Sequence, residues 1–404
     1  MKLNETPSAN RVHIAFFGRR NAGKSSLVNA VTGQNMALVS EIKGTTTDPV
    51  YKAMELLPLG PVVIIDTPGF DDEGELGELR VQRARQVLNK TGIAVLVLDG
   101  EIPHGDALSA AEEELIGLFN EKLIPFIIVR NKCDLAEADG KEQGEILPVS
   151  AKTGFNINLL KEKIAVLAPD EEPEHRLVAD LIRPLDLAIL VIPIDKAAPK
   201  GRLILPQQQV IRDILEAGGI AASVRESELR ETLAGIGKKP AIVITDSQVF
   251  AEVSAAVPQE IPLTSFSILF ARYKGFLKSA LGGVKALDTL RDGDKILICE
   301  GCTHHRQCDD IGTVKLPRWI REHTSKEPEF NFCSGGDFPA DLSPYKLVIH
   351  CGACMLNDRE MRYRRLHTES QNIPFTNYGI AIAHIRGILK RSVAMFDFGE
   401  TNNG

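Results

Sequence analysis

The chain is predicted to be an α/β protein: a phosphate-loop domain built on a parallel sheet, followed by two further α/β domains. Short apolar runs alternate with helical patterns along most of its length, which is the rhythm of parallel sheets covered by helices. A glycine-rich phosphate loop stands between the first apolar run and the first helical one. An acidic, proline-bearing stretch, Ala168–Arg176 (APDEEPEHR), interrupts the rhythm and reads as a linker.

In the first domain, residues 10–168, strands are predicted at Val12–Phe17, Val62–Asp66, Ala94–Asp99, Phe126–Arg130 and Ile146–Val149. The second, 177–270, restarts the pattern with strands at Leu187–Ile192, Ala222–Val224, Ala241–Thr245 and Leu263–Phe266, and a helix over Pro206–Ala217. It holds no phosphate loop and no catalytic cluster. A parallel sheet of this size leaves edges that pairing across a twofold axis would bury, so an assembly role is expected of it. The third, 275–404, has strands at Lys295–Cys299 and Lys346–Ile349.

A chain of 404 residues exceeds one ordinary core. Its 44% hydrophobic and 25% charged residues are those of a globular protein and exclude a disordered one. The net charge of -7 argues against a broad polyanion-binding surface. Met1–Asn10 carries no apolar signal core, and the longest apolar runs are strand-length, so a cytoplasmic protein is expected. In that reducing compartment the seven cysteines would bind metal or stay free.

Gly18-Arg-Arg-Asn-Ala-Gly-Lys24-Ser25 fits the phosphate-loop pattern, and a helical run over Ser26–Val31 follows it. Backbone N–H groups of Asn21, Ala22, Gly23 and Ser26 are expected to wrap phosphates. Lys24 neutralises β/γ charge, and the Ser25 hydroxyl ligates magnesium. Asp66-Thr-Pro-Gly69 supplies the magnesium-side carboxylate and an N–H for the γ-phosphate. Asn131-Lys132-Cys133-Asp134 is expected to read guanine, whose N1–H and amino group a carboxylate accepts and adenine does not offer. Ser150-Ala151-Lys152 offers a backbone N–H to the guanine oxygen. Cys133 is expected to be a small buried residue.

These four motifs, in this order, resemble the GTPases related to TrmE and Era over residues 10–168. The resemblance implies GTP hydrolysis with Mg2+ and a first switch at Gly44-Thr-Thr46-Thr-Asp48, with Thr46 on the magnesium. Thr47 stands where that family usually has arginine. Phe70 occupies the place of the water-orienting glutamine and has no polar atom. Together with Asn21, this resembles the subgroup in which K+ supplies positive charge beside the phosphates.

Six of the seven cysteines lie between residues 299 and 354. Cys302-Thr-His304 and His350-Cys351-Gly-Ala-Cys354 each follow a strand, and ligands collect at the carboxyl ends of parallel strands. Cys302, Cys351 and Cys354, with His304 or His350, would suit a closed zinc site. They would equally suit an iron–sulfur cluster with an exchangeable fourth ligand. Gly352 is expected to ease the turn between the paired cysteines. Cys299 is expected in the core, with Cys308 and Cys333 as spares.

A GTPase domain, a middle α/β domain and the C-x-H…H-C-x-x-C pattern together resemble the HydF family of (FeFe)-hydrogenase maturation GTPases over the whole chain. The resemblance implies a 4Fe–4S cluster on Cys302, Cys351 and Cys354. It further implies a scaffold or carrier for a diiron precursor, working with the radical-SAM maturases HydE and HydG and the apo-hydrogenase, in dimers and tetramers. The alternative is an RNA-modification or ribosome-assembly GTPase with a structural zinc site.

Overall fold

The computed structural model describes residues 6–34, 49–70, 83–100, 108–135, 146–168, 176–194, 203–301 and 310–396. The expected first switch around Thr46, together with Cys302, His304 and Cys308, lies outside the described residues. The chain forms two compact units, one of residues 1–171 with Asn357–Glu360, the other of residues 172–356 and 361–404.

The first unit is built on a six-stranded sheet in the order β2-β3-β1-β4-β5-β6. Its strands are β1 (Val12–Gly18), β2 (Val50–Leu56), β3 (Gly60–Asp66), β4 (Ile93–Asp99), β5 (Phe126–Asn131) and β6 (Ile146–Pro148). Helices α1 (Lys24–Thr32), α2 (Ala110–Glu121) and α3 (Ile157–Val166) cover it. Both faces are packed: Ile14 and Phe16 enter one hydrophobic cluster, Ala15 and Phe17 the other, and none of the four is exposed. Burial on both faces is why these strands read as unbroken apolar runs. Each such phenylalanine contributes roughly 1.5–3 kcal/mol.

β2 has no counterpart among the predicted strands. It pairs antiparallel with β3, and its exposed, polar-interrupted sequence VYKAMEL is that of an edge strand with only Leu56 fully buried. Helix α2 starts at a capping box, Ser109 with Glu112.

The second unit holds two four-stranded parallel sheets, ordered β10-β9-β7-β8 and β12-β11-β13-β14. The first comprises β7 (Leu187–Val191), β8 (Ile220–Val224), β9 (Ile242–Thr245) and β10 (Leu263–Ser265). Helices α4 (Leu205–Glu216), α5 (Leu229–Gly235), α6 (Phe250–Ala256), α7 (Phe266–Tyr273) and α8 (Leu277–Gly283) accompany it. Phe266, predicted as strand, instead opens α7, because Ser265 caps the Ile268 N–H.

The other sheet comprises β11 (Lys295–Glu300), β12 (Glu329–Ser334), β13 (Tyr345–His350) and β14 (Phe375–Asn377). Around it lie α9 (Leu316–Thr324), α10 (Asp358–Ser370), α11 (Tyr378–Ile385) and α12 (Leu389–Val393). β12 and β14 are edge strands too short or too exposed to predict from an apolar run. One hydrophobic cluster runs through both sheets of this unit, from Leu187–Val191 to Ile296–Cys299 and Leu347–Ile349.

A polar seam fixes the register between the two sheets. Thr376 Oγ1 donates to the Ala280 carbonyl at 2.9 Å, and Asn377 Nδ2 donates to the Ser267 carbonyl at 2.8 Å. Beside them, the Phe276 and Phe375 rings meet edge to face at 5.8 Å.

The end of α8 tests how tight this seam is. A Cβ at Gly283 would sit 2.1 Å from the Phe375 carbonyl oxygen, whereas one at neighbouring Gly282 meets nothing within 4 Å. Helix propensity alone favours alanine at both positions by about 0.5–1 kcal/mol. Urea unfolding is expected to show Gly282→Ala neutral or stabilising and Gly283→Ala destabilising by about 2–3 kcal/mol. Equal effects of the two substitutions would refute the close approach.

Candidate functional site

In the first unit the phosphate loop joins β1 to α1. Asn21 and Gly23 take left-handed conformations, with φ of 62° and 82°. A Cβ at Gly18 would lie 2.4 Å from the Val97 carbonyl oxygen, and one at Gly23 would lie 2.2 Å from Asn131 Nδ2. The glycines are therefore needed by packing against the neighbouring strand and side chain, as well as by any approach of phosphate.

Lys24 folds back over the loop. Its Nζ donates to the carbonyls of Gly18 at 2.8 Å and Arg19 at 2.7 Å, and the side chain is buried. Ser25 Oγ donates to Asp66 Oδ2 at 2.6 Å. The other oxygen, Oδ1, is buried and has no hydrogen-bond partner among the described residues. Burial raises the Asp66 carboxyl above its usual range, while the Ser25 hydroxyl and the Lys24 charge pull it down. A desolvated carboxylate oxygen beside a serine hydroxyl fits a hard cation such as Mg2+, which takes oxygen ligands.

Asn131 ties three motifs together. Its Nδ2 donates to the Ala22 carbonyl at 3.1 Å, and its Oδ1 accepts the Ala151 N–H at 3.1 Å. Asp134 Oδ1 accepts from Ser150 Oγ at 2.6 Å, and that bond holds the Asp134 carboxyl below its usual range. Lys132, at φ 62°, pairs with Asp99 at 3.1 Å, a partner that no motif announces. A cavity of about 520 Å³ opens beside these groups, lined in part by Ser26, Asn29, Gln34, Ala151 and Lys152.

Gly69 follows β3, and the next residue, Phe70, packs on the cluster containing Phe17 and Ile65. Cys133 is half-buried, not buried, and its N–H donates to the Val149 carbonyl at 3.2 Å.

In the second unit, β11 and β13 are adjacent and parallel, with Cys299 beside His350. The Cys351 N–H donates to the Cys299 carbonyl at 2.9 Å and carries the pairing one residue further. Cys351 Sγ accepts the Gly301 N–H at 3.1 Å and the Ala353 N–H at 3.4 Å. Burial pushes the Cys351 thiol above its ordinary value, and these two N–H bonds oppose that rise. The left-handed residue of the turn is Ala353, at φ 57°, and not Gly352.

His350 is fully buried, and both ring nitrogens are engaged. Nδ1 donates to the Cys351 carbonyl at 3.0 Å, and Nε2 accepts from Arg364 Nη1 at 3.0 Å. Burial, reinforced by the Arg364 charge, lowers its pKa to about 3, so the ring is neutral. His350 thus orients the strand end and offers no free nitrogen to a metal. Arg364 is also fully buried, on α10, and nothing in a helical run of sequence marks a guanidinium that turns inward.

Cys299 and Cys333 face each other across β11 and β12 with their sulfurs 2.9 Å apart. Burial raises the Cys299 thiol, and its hydrogen bond with Cys333 reinforces the rise. Cys333 is therefore a core partner of Cys299.

Family models match three successive stretches of the chain. The tetramerization-domain model of hydrogen maturase F matches residues 278–395, and its dimerization-domain model matches residues 177–275. A model of the 50S ribosome-binding GTPases matches residues 13–132. GTPase Der of Wolinella succinogenes is 35% identical over 179 residues, covering 40% of this chain and 37% of that protein. The tRNA modification GTPase MnmE of Dichelobacter nodosus is 36% identical over 170 residues, covering 41% and 36%. The chain thus spans about a third of the length of the curated relatives it matches. Among solved structures, Era of Aquifex aeolicus bound to GDP and AlF4- has 21% identity and a TM-score of 0.35, covering 56% of this chain and 98% of that one. Among the described residues, no helix is long and apolar enough to cross a membrane. With a GTPase domain followed by both oligomerization domains of hydrogen maturase F, the chain belongs to that family of hydrogenase maturation GTPases.

Proposed function

We propose that the protein is a GTP-hydrolysing scaffold and carrier that receives a diiron precursor of the (FeFe)-hydrogenase active-site cluster and passes it to the apo-hydrogenase. The radical-SAM maturases HydE and HydG would act as its suppliers. Its own 4Fe–4S cluster would be held by Cys302, Cys351 and Cys354, with His304 or an exchangeable ligand in the fourth place. Residues 177–270 would dimerise and residues 275–404 would carry the cluster.

The observation that supports this reading is the double N–H bonding onto Cys351 Sγ. Such bonds stabilise sulfur carrying negative charge, as a metal-bound thiolate does. One donor is Gly301, and the next residue in the chain is Cys302. A cluster held by three thiolates supplies one iron open to ligand exchange, which suits a site that accepts and releases cargo. Because His350 is committed to Arg364 and the Cys351 carbonyl, its role is to hold Cys351 in place.

In the GTPase domain, Ser25, Asp66 and Thr46 would hold magnesium, and the N–H groups of Asn21 through Ser26 would take the phosphates. Lys24 would leave the Gly18 and Arg19 carbonyls to meet the β/γ oxygens. The Gly69 N–H would meet the γ-phosphate. Asp134, steadied by Ser150, would read guanine, with Asn131 and Lys132 framing the base, and the Ala151 N–H would leave Asn131 Oδ1 to meet its oxygen. Potassium would sit near Asn21, because Phe70 has no polar atom with which to orient water. The protein would work in the cytoplasm.

Asp134→Ala is expected to weaken GTP binding by about 1.5–3 kcal/mol, the worth of a hydrogen bond to a charged group. The unaltered protein should reject XTP, which lacks the guanine amino group. Equal GTP and XTP affinities in a nucleotide competition assay would refute the base assignment.

GTP turnover in KCl is expected to exceed that in NaCl at equal ionic strength. Identical rates would remove the potassium site.

After anaerobic reconstitution, serine at Cys302, Cys351 or Cys354 should abolish iron binding and the electron paramagnetic resonance signal of the reduced cluster. Activation of apo-hydrogenase should be lost with them, while GTP turnover persists. Full iron retention in Cys351→Ser would sink the cluster assignment, and a colourless, zinc-loaded protein would favour a structural metal site.

A further inference from the structure

Away from the cysteines, three residues distant in sequence bring metal-ligating atoms to one point on the second unit. Asp288 lies on a short 3-10 helix (Val284–Thr289), His323 in the last turn of α9 and His384 in the last turn of α11. Asp288 Oδ1 stands 3.3 Å from His323 Nε2 and 2.9 Å from His384 Nε2, and Oδ2 is 3.1 Å from His384 Nε2. One ligand atom from each residue lies within 4.8 Å of the other two.

Four features separate this cluster from an ordinary surface ion pair. The supporting elements are rigid: α9 is anchored by buried Leu316, Trp319 and Ile320, and α11 by buried Ile380, Ala381 and Ile382. The convergence is therefore set by packing and not by long flexible side chains. The donor spacing is suitable as well. Ligands at the 2.0–2.1 Å bond lengths of a tetrahedral zinc site stand roughly 3.3 Å apart, close to the carboxylate–imidazole separations here.

Thirdly, both histidines end helices, where unsatisfied carbonyls place partial negative charge, so two helix dipoles and a carboxylate favour a cation at the same place. Lastly, the three side chains are 22–51% exposed, which leaves a path for an ion and an open coordination position.

We propose that Asp288, His323 and His384 bind a divalent first-row transition ion, with two imidazole nitrogens and one carboxylate oxygen as protein ligands and a fourth position open to solvent. Imidazole with carboxylate selects ions of the zinc, cobalt and nickel group over magnesium or calcium, which prefer all-oxygen shells. Binding replaces the two N–H···O bonds by two N–metal bonds and one O–metal bond. Each ring presents Nε2 as a lone pair and carries its proton on Nδ1.

The test uses the untagged full-length protein with Cys302, Cys351 and Cys354 changed to serine, so that the proposed cluster ligands are gone. Titration with Zn2+, followed by calorimetry, should show one equivalent bound. His384→Gln and His323→Asn should each weaken that binding by well over ~100-fold, beyond the upper end of what loss of a supporting residue costs. Unchanged GTP turnover and circular dichroism serve as the folding control. Co2+ in place of zinc should give weak visible ligand-field bands, without the intense near-ultraviolet absorption of thiolate-to-cobalt charge transfer.

Zn2+ binding that survives both histidine substitutions would overturn the site, as would the absence of binding in the serine background. A sulfur charge-transfer spectrum would also overturn it, by moving the ion to Cys299 and Cys333. Loss of zinc in the histidine variants but not in the serine background would separate this site from the cysteine cluster, whatever becomes of the scaffold reading.

Discussion

Parallel strand pairing is the constraint on which both halves of the molecule depend. Parallel strands end on the same edge of their sheet, so whatever follows each strand is gathered at one rim. In the first unit that rim collects Gly18 at the end of β1, Asp66 at the end of β3, Asn131 at the end of β5 and Ser150 after β6. In the second unit it brings Gly301, after β11, against Cys351, after β13. The same geometry therefore serves two different chemistries. One is a loop of N–H groups beside a desolvated carboxylate, and the other is a sulfur held by backbone donors.

Holding those rims in place takes buried polar groups with every atom spoken for. Asn131 is the clearest case: one side chain links the phosphate loop to the Ser150–Lys152 segment through its two amide atoms. In the second unit His350 and Arg364 play the corresponding part, a neutral imidazole and a guanidinium that are both fully buried. An unpaired buried donor or acceptor costs about 1–3 kcal/mol, so these networks specify one arrangement and penalise near misses. Asp66 Oδ1, buried and without a partner among the described residues, is an exception to that rule of a kind that a hard cation would satisfy.

The two sheets of the second unit share one hydrophobic cluster and are stitched by Thr376 and Asn377 to the α7–α8 segment. Packing this close has consequences beyond the seam. It fixes the ends of α9 and α11 relative to the 3-10 helix that carries Asp288, so a metal-ligand geometry arises on a surface with no sequence motif. Small shifts in the seam would be felt at that triad, because packed interiors deform little.

The sequence by itself determined the α/β class, most strand positions, the phosphate loop and the order of the nucleotide motifs. These are local properties: an apolar run buried on both faces, a glycine that must take positive φ, or a cap residue depends on neighbours a few positions away. The C-x-x-C pair was legible for the same reason. Edge strands β2, β12 and β14 were not, since an edge needs no continuous apolar run and its pairing is decided by what lies beside it.

Only the tertiary structure decided which side chains meet. It paired Cys333 with Cys299, gave Lys132 to Asp99, moved the turn's left-handed residue from Gly352 to Ala353, and engaged both nitrogens of His350. Those outcomes follow from strand order and inter-sheet packing, which join residues tens of positions apart. No spacing rule along the chain encodes them.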